Sequence, residues 1–427
     1  MSELALFGGP KVISQPFARY NSIGEEERRA VLEVMDSGVL SKFLGCHDPD
    51  FFGGPKVQAF EKAWAKAFDT PHAVSVNSAT SGLIAALGAA GVAPGDEVVV
   101  SPWTMCASAT AILVWNAIPV FADIEAATFN LDPQALAAAI TPRTRAVVVP
   151  DIFGHAADLD AIMEIARRHG LVVIEDCAQS PWALYRGRRA GTVGHIGVYS
   201  LNYHKHIHTG EGGVCVTADP ALARRMQLIR NHAEAVVGGM GETDLNNMIG
   251  FNFRMGEIEA AIGIEQLKKL PDLATRRTRV GERLTAALTG LPDLRTPVTL
   301  PDCTHVYYIY PLCYSSRATG IPRARIVAAL EAEGLQVMGG YVNVHRLPLY
   351  QRKIAYGNDG FPWNASSARS EVSYAKGICP IAERLHDEDF LGLELCTAVY
   401  DDRETNLAAA AIRKVFSSLG ELREGGW

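Results

Sequence analysis

The sequence predicts an α/β fold built on a mainly parallel sheet, and three features predict it. Short β-branched runs recur between Ala73 and Ala218. They are nearly continuous in apolar residues rather than alternating, which is how strands buried on both faces read. Helical stretches lie between several of them, as strand–helix–strand connections require.

In order, the runs are AVSV (73–76), EVVVS (97–101), PVFAD (119–123), RAVVVP (145–150), LVVIED (171–176), GVYSL (197–201) and GGVCVT (212–217), which predicts a seven-stranded sheet. Between them, LDPQALAAAI (131–140) and DLDAIMEIARRHG (158–170) carry helical periodicity. The second opens on Asp158 as a cap and stops at Gly170. Beyond Thr217 helical patterns dominate from Ala221 to Leu288, including MGEIEAAIGIEQLKKL (255–270). TPVTLPDCTHVYYIYPLCY (296–314) then reads as strands, and RARIVAALEAEG (323–334) as a helix ending at Gly334. These textures divide the chain into a large domain over 1–270, N-terminal segment included, and a smaller C-terminal α+β domain over 271–427.

Composition narrows the function. With 427 residues, 48% hydrophobic and 20% charged, the chain is globular rather than disordered. Forty Lys+Arg against 47 Asp+Glu leave a net charge of −7, without the basic surplus of a nucleic-acid binder. No apolar run approaches the ~18 residues of a membrane span. The opening MSELALFGGP lacks a basic region followed by an apolar core. The expectation is a cytoplasmic enzyme with neither nucleic acid nor membrane as partner. Eight scattered cysteines without a C-x-x-C pair read as reduced thiols, and no metal is expected.

Ligands of open α/β sheets bind at the carboxyl ends of the strands, and three groups of suitable chemistry stand there. Ser78-Ala79-Thr80-Ser81-Gly82 follows one strand and opens a helix, so its backbone N–H groups form a cup for phosphate. It matches neither the Walker A loop nor G-x-G-x-x-G, which disfavours ATP and dinucleotides. Asp176, with Gln179 three residues on, ends another strand and could hold a metal, a ribose or a protonated ring nitrogen. Lys205 lies between two buried strands in SLNYHKHIHTGEGG (200–213), where desolvation would make it a nucleophilic amine. Together a phosphate cup, a ring-nitrogen carboxylate and a buried lysine describe a site for pyridoxal 5'-phosphate. A competing reading is a metal-dependent hydrolase. His204, His206 and His208 alternate and on an extended strand would share one face, with Asp176 as a further ligand. That reading turns Lys205 away and leaves the cup unexplained.

LALFGG (4–9), SATSGL (78–83), VIEDCAQS (173–180), YSLNYHKHIHTGEGG (199–213) and GFNFRMGEIEAAIGIEQL (250–267) resemble, in order and spacing, the sugar aminotransferases of the StrS/DegT type. These belong to the fold type I enzymes of pyridoxal phosphate, and the resemblance covers nearly the whole chain. It implies that Lys205 is the Schiff-base lysine and catalytic base, Asp176 the partner of the pyridine nitrogen, and Gln179 the neighbour of the phenolic oxygen. Ala79, Thr80 and Ser200 would hold the phosphate. Asn252 would reach the phosphate of a neighbouring subunit, making the protein a homodimer with shared sites. Met105 stands where many members place an aromatic residue on the cofactor ring, and His206 where many have Asn.

SPWTM and HKH are similar to the branch that aminates keto-cyclitols of the scyllo-inosose type. The implied reaction is ping-pong transfer of an amino group from glutamine or glutamate to a keto-cyclitol or keto-sugar, a nucleotide-linked keto-sugar being the alternative acceptor. The family's sugar dehydratases carry histidine in place of the lysine, so Lys205 favours transamination. His206, Tyr341 and His345 are the expected substrate contacts.

Overall fold

The central sheet orders its seven strands as His72–Val76, Gly213–Thr217, Ile196–Ser200, Val172–Asp176, Thr144–Pro150, Glu97–Val100 and Ile118–Phe121. The last five in that order run parallel, whereas Gly213–Thr217 is antiparallel to both of its neighbours. A computed structural model supplies this description for residues 3–368 and 371–424.

Alternate residues of each strand enter opposite cores. Val98, Val100, Val148, Ile174 and Val198 face one cluster. Val99, Val147, Val149, Val173 and Val216 face the other. Each such side chain contributes about 1.5–3 kcal/mol over its exposed state, and a polar side chain buried among them is hydrogen-bonded, as Glu175 is to the Gly191 and Val193 N–H groups at 2.6 and 2.9 Å. This two-sided burial is why the sequence shows runs instead of alternation.

Helix Ala79–Ala89 lies across the sheet at very close range. A Cβ on Gly82 would stand 2.8 Å from Val198 Cγ1, and one on Gly213 would stand 2.7 Å from the Ala79 nitrogen. Glycine at 213 therefore lets the helix N-terminus rest directly on a strand end. Helix Pro133–Ala139 is capped as Asp132 accepts the Gln134 N–H at 2.8 Å. Asp158 precedes helix Leu159–His169 but does not cap it; its carboxylate accepts the Tyr185 hydroxyl at 2.9 Å instead. Gly170 ends that helix in the left-handed region, at φ 66°.

The helical texture after Thr217 resolves into Pro220–Arg230, Ala233–Val236 and the 32-residue helix Glu257–Leu288. This last helix runs unbroken through position 270. Leu267, Leu270 and Ala274 pack in the core of the large sheet. Val280, Leu284 and Leu288 pack in a separate core, together with Leu4 and Ile13 of the N-terminal segment. The change of core thus falls inside a helix, which no loop composition can announce.

The second core covers an antiparallel sheet ordered Leu294–Arg295, Ile309–Tyr314, Phe390–Glu394, Met338–Gly339. Within 296–314 only Ile309–Tyr314 belongs to that sheet. The preceding residues bond instead to the first unit, with Thr304 N–H on Leu184 O, Val306 N–H on Gly154 O and Tyr308 N–H on Phe153 O at 2.8–2.9 Å. Val344, Tyr350, Trp363 and Tyr374 also return to the core of the large sheet. Among the described residues no helix is long and apolar enough to cross a membrane.

Gly213→Ala should destabilise the protein by about 1–3 kcal/mol, because the new methyl meets backbone rather than a movable side chain. Urea unfolding of both proteins measures this.

Candidate active site

A cavity of about 180 Å³ opens at the carboxyl ends of the parallel strands. Ala79 and Thr80 line one end. The Ser78 hydroxyl accepts the Ser81 N–H at 3.1 Å, and the Ser81 hydroxyl donates to Asn77 Oδ1 at 2.7 Å. The first-turn N–H groups of Ala79 and Thr80 have no acceptor within the helix, so this end of the cavity attracts an anion. Ser200, ending strand Ile196–Ser200, lines the cavity with them.

Asp176 lies at the end of its strand, only 7% exposed. Its Oδ2 accepts the Ser108 hydroxyl at 2.7 Å and its Oδ1 accepts the Ala178 N–H at 3.2 Å. Burial raises its pKa, while the Ser108 bond, the Ala178 bond and the charge of Lys205 act against that rise. Behind Ser108, Thr104 Oγ1 lies 3.0 Å from the Ser108 hydroxyl.

Lys205 sits on the turn after strand Ile196–Ser200, its N–H bonded to Asn202 O at 2.9 Å. Its ammonium lies 4.1 Å from the centre of the Tyr308 ring. Burial lowers its pKa to about 8, with the negative charge of Asp176 resisting. Gln179 is anchored at both ends of its amide. Oε1 accepts the Phe153 N–H at 2.8 Å and Nε2 donates to the Tyr341 hydroxyl at 2.9 Å. Phe153 holds φ 60°, a strained conformation that the bond to Gln179 helps to hold. Met105, 54% exposed, closes part of the rim.

The structure thus gathers Ala79, Thr80, Met105, Asp176, Gln179, Ser200 and Lys205 around one cavity, with Tyr341 adjoining through Gln179. Asn252 stands apart and exposed, its carbonyl accepting from Asn77 Nδ2 at 3.3 Å. Two expected substrate contacts need correction. His206 is fully buried and points away, with Nε2 2.8 Å from Val306 O; burial lowers its pKa to about 3. His345 is likewise fully buried, with Nε2 2.9 Å from Glu383 Oε1, and lies off the cavity.

The three histidines do not share a face, because 203–207 form turns and bends rather than a strand. His204 faces the cavity, His206 faces Val306, and His208 Nδ1 accepts the Gly210 N–H at 3.3 Å. Sequence reasoning missed Ser108 and Tyr308 as parts of the site, and offered His204 only as a metal ligand. Ser108 stands in the first turn of helix Ala107–Val114, whereas Thr104 precedes that helix, so no helical spacing announces the pair. Tyr308 arrives from a remote segment and has no local signal.

Ser108→Ala should cost about 1.5–3 kcal/mol, since a buried carboxylate loses a charge-assisted bond. The loss should shrink as the pH falls and Asp176 takes a proton, which unfolding at a series of pH values reads out.

The model of the DegT/DnrJ/EryC1/StrS aminotransferase family matches residues 21–390. The L-glutamine:scyllo-inosose aminotransferase of Streptomyces griseus is 36% identical, over 99% of each chain. The dTDP-3-amino-3,4,6-trideoxy-alpha-D-glucose transaminase of Streptomyces venezuelae is 35% identical over 90% of this chain and 93% of its own. Among solved structures, an aminotransferase from Psychrobacter cryohalolentis superposes with a TM-score of 0.80 at 29% identity, covering 95% of this chain and all of that one. The cavity fits the cofactor of such enzymes: N–H groups and a hydroxyl suit a phosphate, a buried carboxylate suits a ring nitrogen, and a depressed amine suits an aldehyde. The chain belongs to the DegT/DnrJ/EryC1/StrS aminotransferase family and is a transaminase dependent on pyridoxal 5'-phosphate.

Proposed function

We propose that this transaminase moves an amino group from glutamine or glutamate to a keto-cyclitol or keto-sugar by a ping-pong sequence, in a homodimer with shared sites. The observation that carries the reading is the partly buried amine of Lys205, lowered to about 8, sharing one cavity with a buried carboxylate and an open helix N-terminus. The inosose and deoxysugar relatives support a polyhydroxylated ketone as acceptor.

When bound, pyridoxal phosphate supplies an aldehyde that condenses with amines and a ring that takes up the electron pair released at the amine-bearing carbon. The residues do the rest. Ala79 and Thr80 N–H groups and the Ser200 hydroxyl bind the phosphate. Asp176, fixed by Ser108 and Ala178, holds a proton at the ring nitrogen. Gln179 borders the phenolic oxygen, and the Met105 thioether offers a polarisable surface to the ring. Lys205 provides the amine that anchors the cofactor and then, released, carries the proton between donor carbon and cofactor. At pH 7 a pKa near 8 leaves roughly 300-fold more neutral amine than the ordinary value of 10.5.

Asn252 reaches no part of its own cavity, which supports its pairing with the phosphate of the other subunit. Around it, Leu40, Leu44, Leu245 and Ile249 are 45–64% exposed. Leu40 and Leu44 are tied to that side of the molecule, Leu40 O accepting the Glu257 N–H at 3.1 Å and Leu44 O accepting from Asn231 Nδ2 at 2.8 Å. Asn231 itself bridges Asn252.

Asp176→Asn should lower kcat by at least about a hundredfold while cofactor occupancy, read by absorbance, stays near that of the parent. Unchanged turnover would refute the assigned role. Mixing inactive Lys205→Ala and Asn252→Ala dimers after subunit exchange should restore activity to about a quarter of the parent level, since one site in each mixed dimer is intact. No recovery would refute the shared site.

A further inference from the structure

Helix Glu257–Leu288 carries a cation that the cofactor chemistry does not use. Arg277 is 6% exposed. Its guanidinium carbon lies 4.8 Å from the centre of the Tyr20 ring, and Nη1 reaches Leu273 O at a long 3.5 Å. Its Nε, also buried, has no hydrogen-bond partner. Neighbouring Arg276 pairs with Asp272 at 2.8 Å and Arg283 with Asp402, but among the described residues no carboxylate pairs with Arg277. A buried guanidinium without a counter-charge is costly, so an anion from outside the chain would be welcome there.

Shared wall residues link the hollow around Arg277 to the active site. His204 borders both the cofactor cavity and a second cavity of about 320 Å³. Arg19, Tyr20 and Asn21 in turn border both that second cavity and a cleft of about 800 Å³ lined by Arg277 and Arg279. Arg19 and Arg279 are exposed and, among the described residues, have no ion pair. The acids on this wall are engaged elsewhere: Asp402 with Arg283, and Asp401 with the N–H groups of Arg403 and Glu404 at 2.8 and 3.2 Å. Cys396, buried, lines the second cavity together with His204, Arg19 and Tyr20.

We propose that Arg277, with Arg19 and Arg279 at the rim, forms an oxyanion subsite that receives an anionic group of one of the two substrates. Two sources share this chemistry: the α-carboxylate of the amino-acid donor and a phosphate carried by the ketone. The rim arginines draw the anion in, Arg277 fixes it, and the reacting end of the same molecule extends past His204 to Lys205. This assignment rests on the aminotransferase reading only for the identity of the substrates.

Calorimetric titration of the cofactor-loaded enzyme with inorganic pyrophosphate tests the subsite, since the bound cofactor already occupies the helix N-terminus. Binding should weaken by about tenfold or more in Arg277→Gln and recover largely in Arg277→Lys. Arg19→Gln, an exposed change that does not threaten folding, should weaken it by a few fold. Pyrophosphate that does not bind, or binds Arg277→Gln and Arg19→Gln as tightly as the parent, overturns the proposal. The glutamine half-reaction, followed by cofactor absorbance, identifies the source. Competition by pyrophosphate assigns the subsite to the donor carboxylate; binding without competition assigns it to a phosphate-bearing ketone. If glutamine alone leaves the spectrum unchanged the donor assignment fails, while the titration still decides the subsite.

Discussion

The arrangement depends on one electrostatic constraint: Lys205 and Asp176 are desolvated together in one cavity. Burial alone would neutralise both groups, pushing the amine down and the carboxyl up. Each charge partly reverses the effect on the other, and Ser108 and Ala178 add donors that favour the carboxylate. The outcome is an amine that titrates near neutral pH beside a carboxylate held in place. An exposed lysine would remain a spectator cation, and an unsupported buried aspartate would take up a proton.

The fold exists in a form that imposes this constraint. Parallel strands buried on both faces deliver Asp176 and Ser200 to one edge, and the glycines at 82 and 213 let the helix N-terminus close on the same edge. The second unit completes the enclosure. Its backbone bonds to Phe153 and Gly154 seat Tyr308 against Lys205, and Tyr341 ties down Gln179. Helix Glu257–Leu288 belongs to both cores, so the two units share a rigid connection in which Arg277 lies close to their junction.

Much of this was legible in the sequence because it is local. Two-sided burial leaves unbroken Val and Ile runs, and a cup at a helix start, a carboxylate at a strand end and a lysine between strands each occupy a few consecutive residues. What was not legible is long-range. Tyr308 meets Lys205 across the chain, and Asp158 gives its carboxylate to Tyr185 rather than to the helix it precedes. His206 and His345 looked like substrate contacts from residue type alone. Their orientations depend on Val306 and Glu383, which no spacing rule connects to them. The N-terminal segment likewise joined the second core through Leu4 and Ile13, a contact between chain ends far apart in sequence.

The most direct measurement is the titration of Lys205 itself. Cofactor-free protein would be labelled with an amine-selective reagent over a range of pH, and modification at Lys205 followed by peptide mass spectrometry against the surface lysines. The account predicts a midpoint near pH 8, well below the surface lysines. A midpoint at the ordinary 10.5, indistinguishable from those lysines, would contradict it.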